Sequence, residues 1–336
     1  NMCDRGCPFT GYFSSNGVTL PSARATGNLT LRPWSIVVDV IYDKDTQKAK
    51  GIRIIDAETM KTEEFYAKII FLNASTIGST AILLNSTSDA HPNGLGNESD
   101  QLGRNLMDHH YHVGASATYD GFKDSYTFGR RANGIYVPRF RNINEATKHK
   151  DYVRGFGYQG GGFRGRVNDL EGIGESLKQQ LTEPGDWGFW IGGWGEQLPH
   201  PDNRMTLRKD KKDKWGLPLI DIDAEWKENE LAMRKDMMEQ GAEMLEKAGC
   251  KNINTFDDPH ANPGLCIHEM GTARMGRDKK TSVLNEWNQV WDCKNVFVTD
   301  GACMTSNANQ NPSVTYMALT ARAADYAVSE LKKGNM

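Results

Sequence analysis

The chain has 336 residues, room for two domains and a sizeable core. Its 40 Lys and Arg against 43 Asp and Glu leave a net charge of −3, so no basic excess points to a nucleic-acid or anionic-membrane partner. No apolar run reaches the roughly eighteen residues a transmembrane helix needs.

Along the chain, residues 35–42 read as a strand through Ile36, Val37, Val38, Val40 and Ile41. A polar turn at 43–46, a second strand over 51–56 and more extended chain over 63–72 make a β-meander. A helix is expected over 76–84. From His109 to about Trp226 the signals are mostly extended, aromatic and Gly-rich, with one helix at 173–181. Residues 229–247 read as a helix with Leu231, Met238, Ala242 and Leu245 toward the core, and Gly249 as its stop. The last helix runs from Pro312 to about Leu331, with Val314, Met317, Ala318, Ala321, Ala324 and Val328 on one side. No internal repeat or low-complexity linker is visible.

The chemistry concentrates near the C-terminus. His268 can act as a base at neutral pH, because an unperturbed imidazole titrates near 6.5. Taken alone it is better read as a hydrogen-bonded core histidine. Asn311 can hold a substrate oxygen without competing for its proton. It also sits where an N-cap belongs, with Pro312 at the first helical position. Between them, the apolar run 296–299 ends in Asp300-Gly301-Ala302, the pattern of a buried strand delivering a tight turn.

Other features are ambiguous. Gly160-Gly161-Gly162-Phe163-Arg164-Gly165 spells G-x-G-x-x-G, but Gly172 and Gly174 follow where a dinucleotide site needs a helix, so the string is read as a decoy. Asp108, His110 and His112 share a face if their segment is a strand, which would suit a metal; the preferred reading is a crossover between domains and no metal. Trp187, Phe189, Trp190 and Trp194 form either a sugar-stacking platform or sheet core. The six cysteines (Cys3, Cys7, Cys250, Cys266, Cys293 and Cys303) are too sparse for a disulfide scaffold, and Cys3 and Cys7 are a local disulfide or plain thiols. The compartment stays open: soluble, cytoplasmic or periplasmic.

His268-Glu269-Met270-Gly271-Thr272-Ala273-Arg274-Met275-Gly276, the strand ending in Asp300-Gly301-Ala302, and Asn311-Pro312-Ser313 resemble, in this order, the C-terminal part of the glucose-methanol-choline (GMC) oxidoreductases. Asn28-Leu29-Thr30-Leu31-Arg32-Pro33, Asn73-Ala74-Ser75-Thr76-Ile77-Gly78-Ser79 and Gly103-Arg104-Asn105-Leu106-Met107-Asp108-His109 extend the resemblance. Glu196-Gln197-Leu198-Pro199-His200-Pro201-Asp202-Asn203-Arg204 is nearest to the branch acting on sugars and sugar acids. The resemblance implies an α/β chain, α+β over this stretch. It comprises a flavin-binding part (1–108 with 266–336) without the family's N-terminal βαβ unit, and an antiparallel-sheet substrate domain backed by helices (109–265). It implies FAD held near Val38, Asp300, Gly301, Ala302, Pro312 and Ser313, and catalysis by His268 and Asn311 on an alcohol, nearest a sugar or sugar acid. Asn73-Ala74 in place of a small A-G pair departs from the pattern. A flavin-free remnant serving as a carbohydrate-binding or interaction module is the alternative; a yellow purified protein would favour the enzyme.

Overall fold

A computed structural model describes residues 11, 13–125, 134–166 and 172–336. Cys3 and Cys7 lie outside the described residues.

A π-helical turn, Ser15–Thr19, leads into α1 (Leu20–Ala25). Then β1 (Ser35–Asp43), β2 (Lys48–Asp56) and β3 (Thr62–Tyr66) form the expected antiparallel meander. The extended chain beyond β3 does not stay in it. β4 (Ile70–Leu72) instead pairs in parallel with β13 (Cys293–Val298), Ile70 opposite Val296 and Leu72 opposite Val298. The reason is burial: Ile70, Leu72, Val296, Phe297 and Val298 are all buried, as parallel strands covered on both faces require. β12 (Gln289–Val290) adds an antiparallel edge to β13. α2 (Ser75–Asn85) follows β4 after a sharp turn and buries Thr76, Ser79, Thr80, Ile82 and Leu83.

The middle of the chain builds a five-stranded antiparallel sheet in the order β11-β5-β8-β7-β6. Its strands are β5 (Val113–Tyr119), β6 (Ile135–Val137), β7 (Phe156–Arg166), β8 (Pro184–Gly195) and β11 (Lys251–Asp257). The short α3 (Glu175–Gln180) lies between β7 and β8. A separate hairpin joins β9 (Arg204–Lys212) to β10 (Pro218–Asp223). Gly160, Gly162 and Gly165 sit inside β7, the first two paired with β8 and Gly165 at an irregularity in that pairing, so the string is a strand and opens no helix.

α4 (Glu228–Lys247) covers one face of this sheet, and Gly249 follows it at φ 81°. Leu245 is buried, and Met238 and Ala242 are partly so, as expected; Leu231 is 55% exposed. Met233 and Met237 fill the core beside them, and three charged residues, Glu230, Arg234 and Asp236, are buried on the same helix. Each is paired: Glu230 accepts from the backbone of Leu198, Arg234 bonds Asp257, and Asp236 bonds Arg141 and Tyr152. Buried charge is tolerated only with such partners.

α5 (Ser313–Lys332) also turns differently from its sequence pattern. Val314, Met317 and Val328 are 78%, 46% and 49% exposed, and Ala318 and Ala321 also face out. Ala323 and Ala327 are the buried residues, packed on Phe297. Their small side chains let the helix approach the strand, and Thr320 Oγ1 bonds Thr299 Oγ1 at 2.8 Å. Close approach and hydrogen bonding outweigh the more apolar stripe.

Among the described residues three apolar clusters result. One draws on residues 40–102 and 273–303, a second on residues 113–245, and a small third joins Phe297 to Ala323 and Ala327.

Candidate active site

The parallel strands β4 and β13 end side by side, and the turns that follow them are tied together. Thr299 Oγ1 donates to Asn73 Oδ1 at 2.7 Å. Asp300 accepts from the Ser79 hydroxyl at 2.5 Å and from its own turn, at the Ala302 N–H, at 3.0 Å. Ser79 Oγ also accepts from the Ala74 N–H. Burial raises the Asp300 carboxyl above its ordinary range, while those two donors hold it down. Gly301 has no room for a side chain: a Cβ would collide with Thr76 Oγ1 and the Glu269 carbonyl. The carboxyl ends of parallel strands are where open α/β sheets bind ligands.

The His268 segment is laid against this corner by backbone pairing. Gly271 and Ala273 donate to the carbonyls of Gly301 and Ala302, and Met270 exchanges two hydrogen bonds with Met107. Gly271 has φ 95°, and a Cβ there would strike the Asn105 carbonyl. Ile267 takes φ 61° with its side chain 82% exposed, an uncommon conformation for a β-branched residue, and it turns the chain just before His268.

Fully buried Asp108 organises the rest. Its carboxylate accepts four backbone N–H groups: Gly264, Cys266 and His109 at 2.8–2.9 Å, and His268 at 3.2 Å. Burial pushes this carboxyl up to about 6, against N–H bonds that favour its charged form. His268 Nδ1 lies 2.9 Å from His109 Nδ1, and its Nε2 lies 3.2 Å from Asn311 Nδ2. Asn311 Oδ1 accepts from Gln159 Nε2 at 2.7 Å, and Gln159 stands on β7 of the large sheet. Burial depresses the basicity of His268; it takes His109, fully buried, down to about 4. Both rings are therefore neutral near pH 7.

His268 and Asn311 thus meet, as do Asp300, Gly301 and Ala302 beside them, and Pro312 and Ser313 continue from Asn311. Val38 is elsewhere: its carbonyl accepts from Asn85 at the far end of α2, roughly 15 Å of helix from Ser75. The expected cap is displaced. α5 begins at Ser313, so Pro312 is the residue before it, no side chain caps the helix, and the Asn311 amide serves His268 and Gln159 instead.

The histidine cluster disperses. His109 turns to His268, His110 stacks on Trp226 at 4.6 Å, and exposed His112 lies 3.5 Å from Asp258. The sequence does not mark His109 or Gln159 as site residues, and it offers Asp108 only as part of a face that would suit a metal. His109 sits inside a motif read only as a crossover, and nothing in a strand sequence marks Gln159.

The tryptophans divide by strand parity. Gln159 pairs with Gly192, so Trp190 and Trp194 share its sheet face, while Phe189 packs into the core on the α4 side. Trp190, Trp194, Tyr111, His112 and Phe256 line a cavity of about 410 Å³ on that face.

Side-by-side parallel strand ends, an uncapped helix start and a converging imidazole–amide pair meet in an α/β chain that also carries a five-stranded antiparallel sheet. The sequence matches the GMC oxidoreductase family over residues 1–111 and 199–320. The chain belongs to that family. It is 33% identical to 2-methyl-1,2-propanediol dehydrogenase of Mycolicibacterium austroafricanum over 86% of this chain and 52% of that protein. It is 26% identical to the fructose dehydrogenase large subunit of Gluconobacter japonicus over 88% of this chain and 54% of that one. The chain therefore spans about half the length of these relatives. A crystal structure of formate oxidase shares the fold with a TM-score of 0.64 at 15% identity, over 91% of this chain and 62% of that one. Among the described residues no helix is long and apolar enough to cross a membrane.

Proposed function

We infer that this chain carries the proton-handling side of a flavin-dependent oxidation of an alcohol CH–OH group. The observation that carries the reading is the 3.2 Å approach of His268 Nε2 to Asn311 Nδ2 at the open start of α5. A hydroxyl oxygen seated against both nitrogens gives its proton to Nε2 and takes a hydrogen bond from Nδ2, which stabilises the developing alkoxide. General-base catalysis of this kind contributes typically a hundred- to ten-thousand-fold, about 3 to 5 kcal/mol.

The residues present fit a flavin. The first helical N–H groups of α5 have no side-chain cap, and a helix start carries about half a positive charge, suited to an electron-rich ring edge. The Tyr316 hydroxyl, on the first turn, is buried without a partner beside Gly301. Pro312, Ser313, Asp300, Gly301 and Ala302 would hold the isoalloxazine side of FAD, and Val38 a more distant part. Bound FAD would supply the acceptor for the hydrogen leaving the carbon.

The two larger apolar clusters support a division into a flavin part (1–108 with 266–336) and a substrate part (109–265). The aromatic cavity on the Gln159 face supports a ring-bearing polyol, a sugar or sugar acid, as substrate, since aromatic faces suit sugar C–H surfaces. The test is anaerobic mixing of the flavin-containing protein with diols, hexoses and sugar acids. Loss of the oxidised-flavin absorbance with at least one of them supports the reading. A flavin-free protein that binds sugars without turnover contradicts it.

A further inference from the structure

The hydrogen bonds around His268 run in one direction, and that direction can be read from an end that has no choice. A backbone carbonyl only accepts. His109 Nε2 bonds the Ala308 carbonyl, so Nε2 carries the ring proton. His109 is fully buried and neutral, so its Nδ1 holds a lone pair. His268 Nδ1 faces that lone pair at 2.9 Å and must donate. A neutral His268 with its proton on Nδ1 leaves a lone pair on Nε2, the atom that faces Asn311. Reading from the other end gives the same order: Gln159 donates to Asn311 Oδ1, so Asn311 presents Nδ2 to the imidazole, and an amide N–H needs a lone pair there.

The other contact at Nδ1 is the weaker one: the Cys266 sulfur, a weak hydrogen-bonding group, lies 3.9 Å away, against 2.9 Å for His109 Nδ1. The frame is rigid, because one Asp108 oxygen ties the backbone N–H groups of both His109 and His268, and Asn307 Nδ2 bonds the Asp108 carbonyl.

We propose that His109 is the positioning residue that sets the tautomer of His268, holding its proton on Nδ1 and keeping the Nε2 lone pair open to the substrate hydroxyl. The inference rests on the reading of His268 as the base, but its structural content stands apart from turnover. Which imidazole nitrogen is protonated is decided by the bond the other one makes. Without an acceptor at Nδ1, only the Asn311 N–H still favours a lone pair on Nε2, and the fraction of His268 with its proton on Nε2, where it can abstract nothing, rises.

The experiment is long-range proton–nitrogen NMR on the whole chain labelled with ¹⁵N-histidine, with signals assigned by loss in His268→Ala and His109→Asn. The expected spectrum of the unaltered protein has His268 protonated on Nδ1 and His109 on Nε2. His109→Phe keeps an aromatic ring but no acceptor; the Nε2-protonated form of His268, now opposed only by the Asn311 N–H, should become populated and the Nδ1–H signal should weaken. Turnover should then fall by about ten- to a thousand-fold with little change in KM, as a wrong-tautomer imidazole loses rate without losing binding. His109→Asn places an amide oxygen near the lost Nδ1 and should restore both the Nδ1–H signal and most of the turnover. An Nε2-protonated His268 in the unaltered protein overturns the proposal, and so does an unchanged Nδ1–H signal in His109→Phe. If the tautomers are as assigned while His268→Ala retains its turnover, the positioning inference is supported and the base reading alone fails.

Discussion

His268 Nε2 and Asn311 Nδ2 stand 3.2 Å apart, although 43 positions separate them in sequence. An alcohol oxygen that fits against one therefore fits against both. Asn311→Ala removes the donor that meets the developing alkoxide, a hydrogen bond to charge worth about 1.5 to 3 kcal/mol. The expected result is a fall of roughly ten- to a hundred-fold in kcat/KM, with weaker substrate binding, read by steady-state kinetics. Unchanged kcat/KM would place the substrate oxygen elsewhere.

Burial holds the His268 pKa below its ordinary 6.5. A base must be unprotonated, so kcat/KM should rise with pH and level off, with its limb below 6.5 and activity lost as pH falls through it. Asn311→Asp puts a carboxylate beside Nε2, which favours the imidazolium and should move the limb to higher pH. A limb that stays in place in this variant would show that His268 is not the titrating group.

Asp108 holds four backbone N–H groups with one buried carboxylate. Asp108→Asn keeps the shape but turns an NH₂ toward two of those donors. Leaving buried donors unpaired costs about 1 to 3 kcal/mol each, so a loss of at least about 2 kcal/mol is expected in urea unfolding. A variant as stable as the original would mean that these backbone bonds contribute nothing net.

Gly301→Ala tests the packing of the corner. The added methyl meets Thr76 Oγ1 and the Glu269 carbonyl, neither able to withdraw without breaking their own 2.5 Å bond. Overpacking of this kind costs about 1 to 3 kcal/mol, visible as a lower melting temperature. An unchanged melting temperature would show that the turn relaxes freely.

Much of this was legible in the sequence, for reasons particular residues show. α2 and the meander β1–β3 fall where composition and turn residues place them. His268, Asp300 and Asn311 stand in ordered motifs. The inward face of α5 was not legible, nor was the burial of Glu230 in place of Leu231 on α4, because hydrophobicity ranks Leu231 and Val314 above Glu230 and Ala323. Partnered charge on Glu230 and the smallness of Ala323 decided the packing, and both depend on distant chain. His109 illustrates the same limit: its value lies in an acceptor-only carbonyl at Ala308, 199 positions away, which no local pattern announces.

The most direct test of the account is the rate of flavin reduction in His268→Ala, measured by anaerobic stopped flow on the flavin-containing protein with its best alcohol substrate. The account expects reduction at least about a hundred-fold slower, with the substrate dissociation constant changed by no more than a few-fold, because the imidazole acts on the proton in the transition state. A reduction rate within about two-fold of the unaltered protein, within the scatter of such measurements and far below the hundred-fold expected of a lost general base, would contradict it.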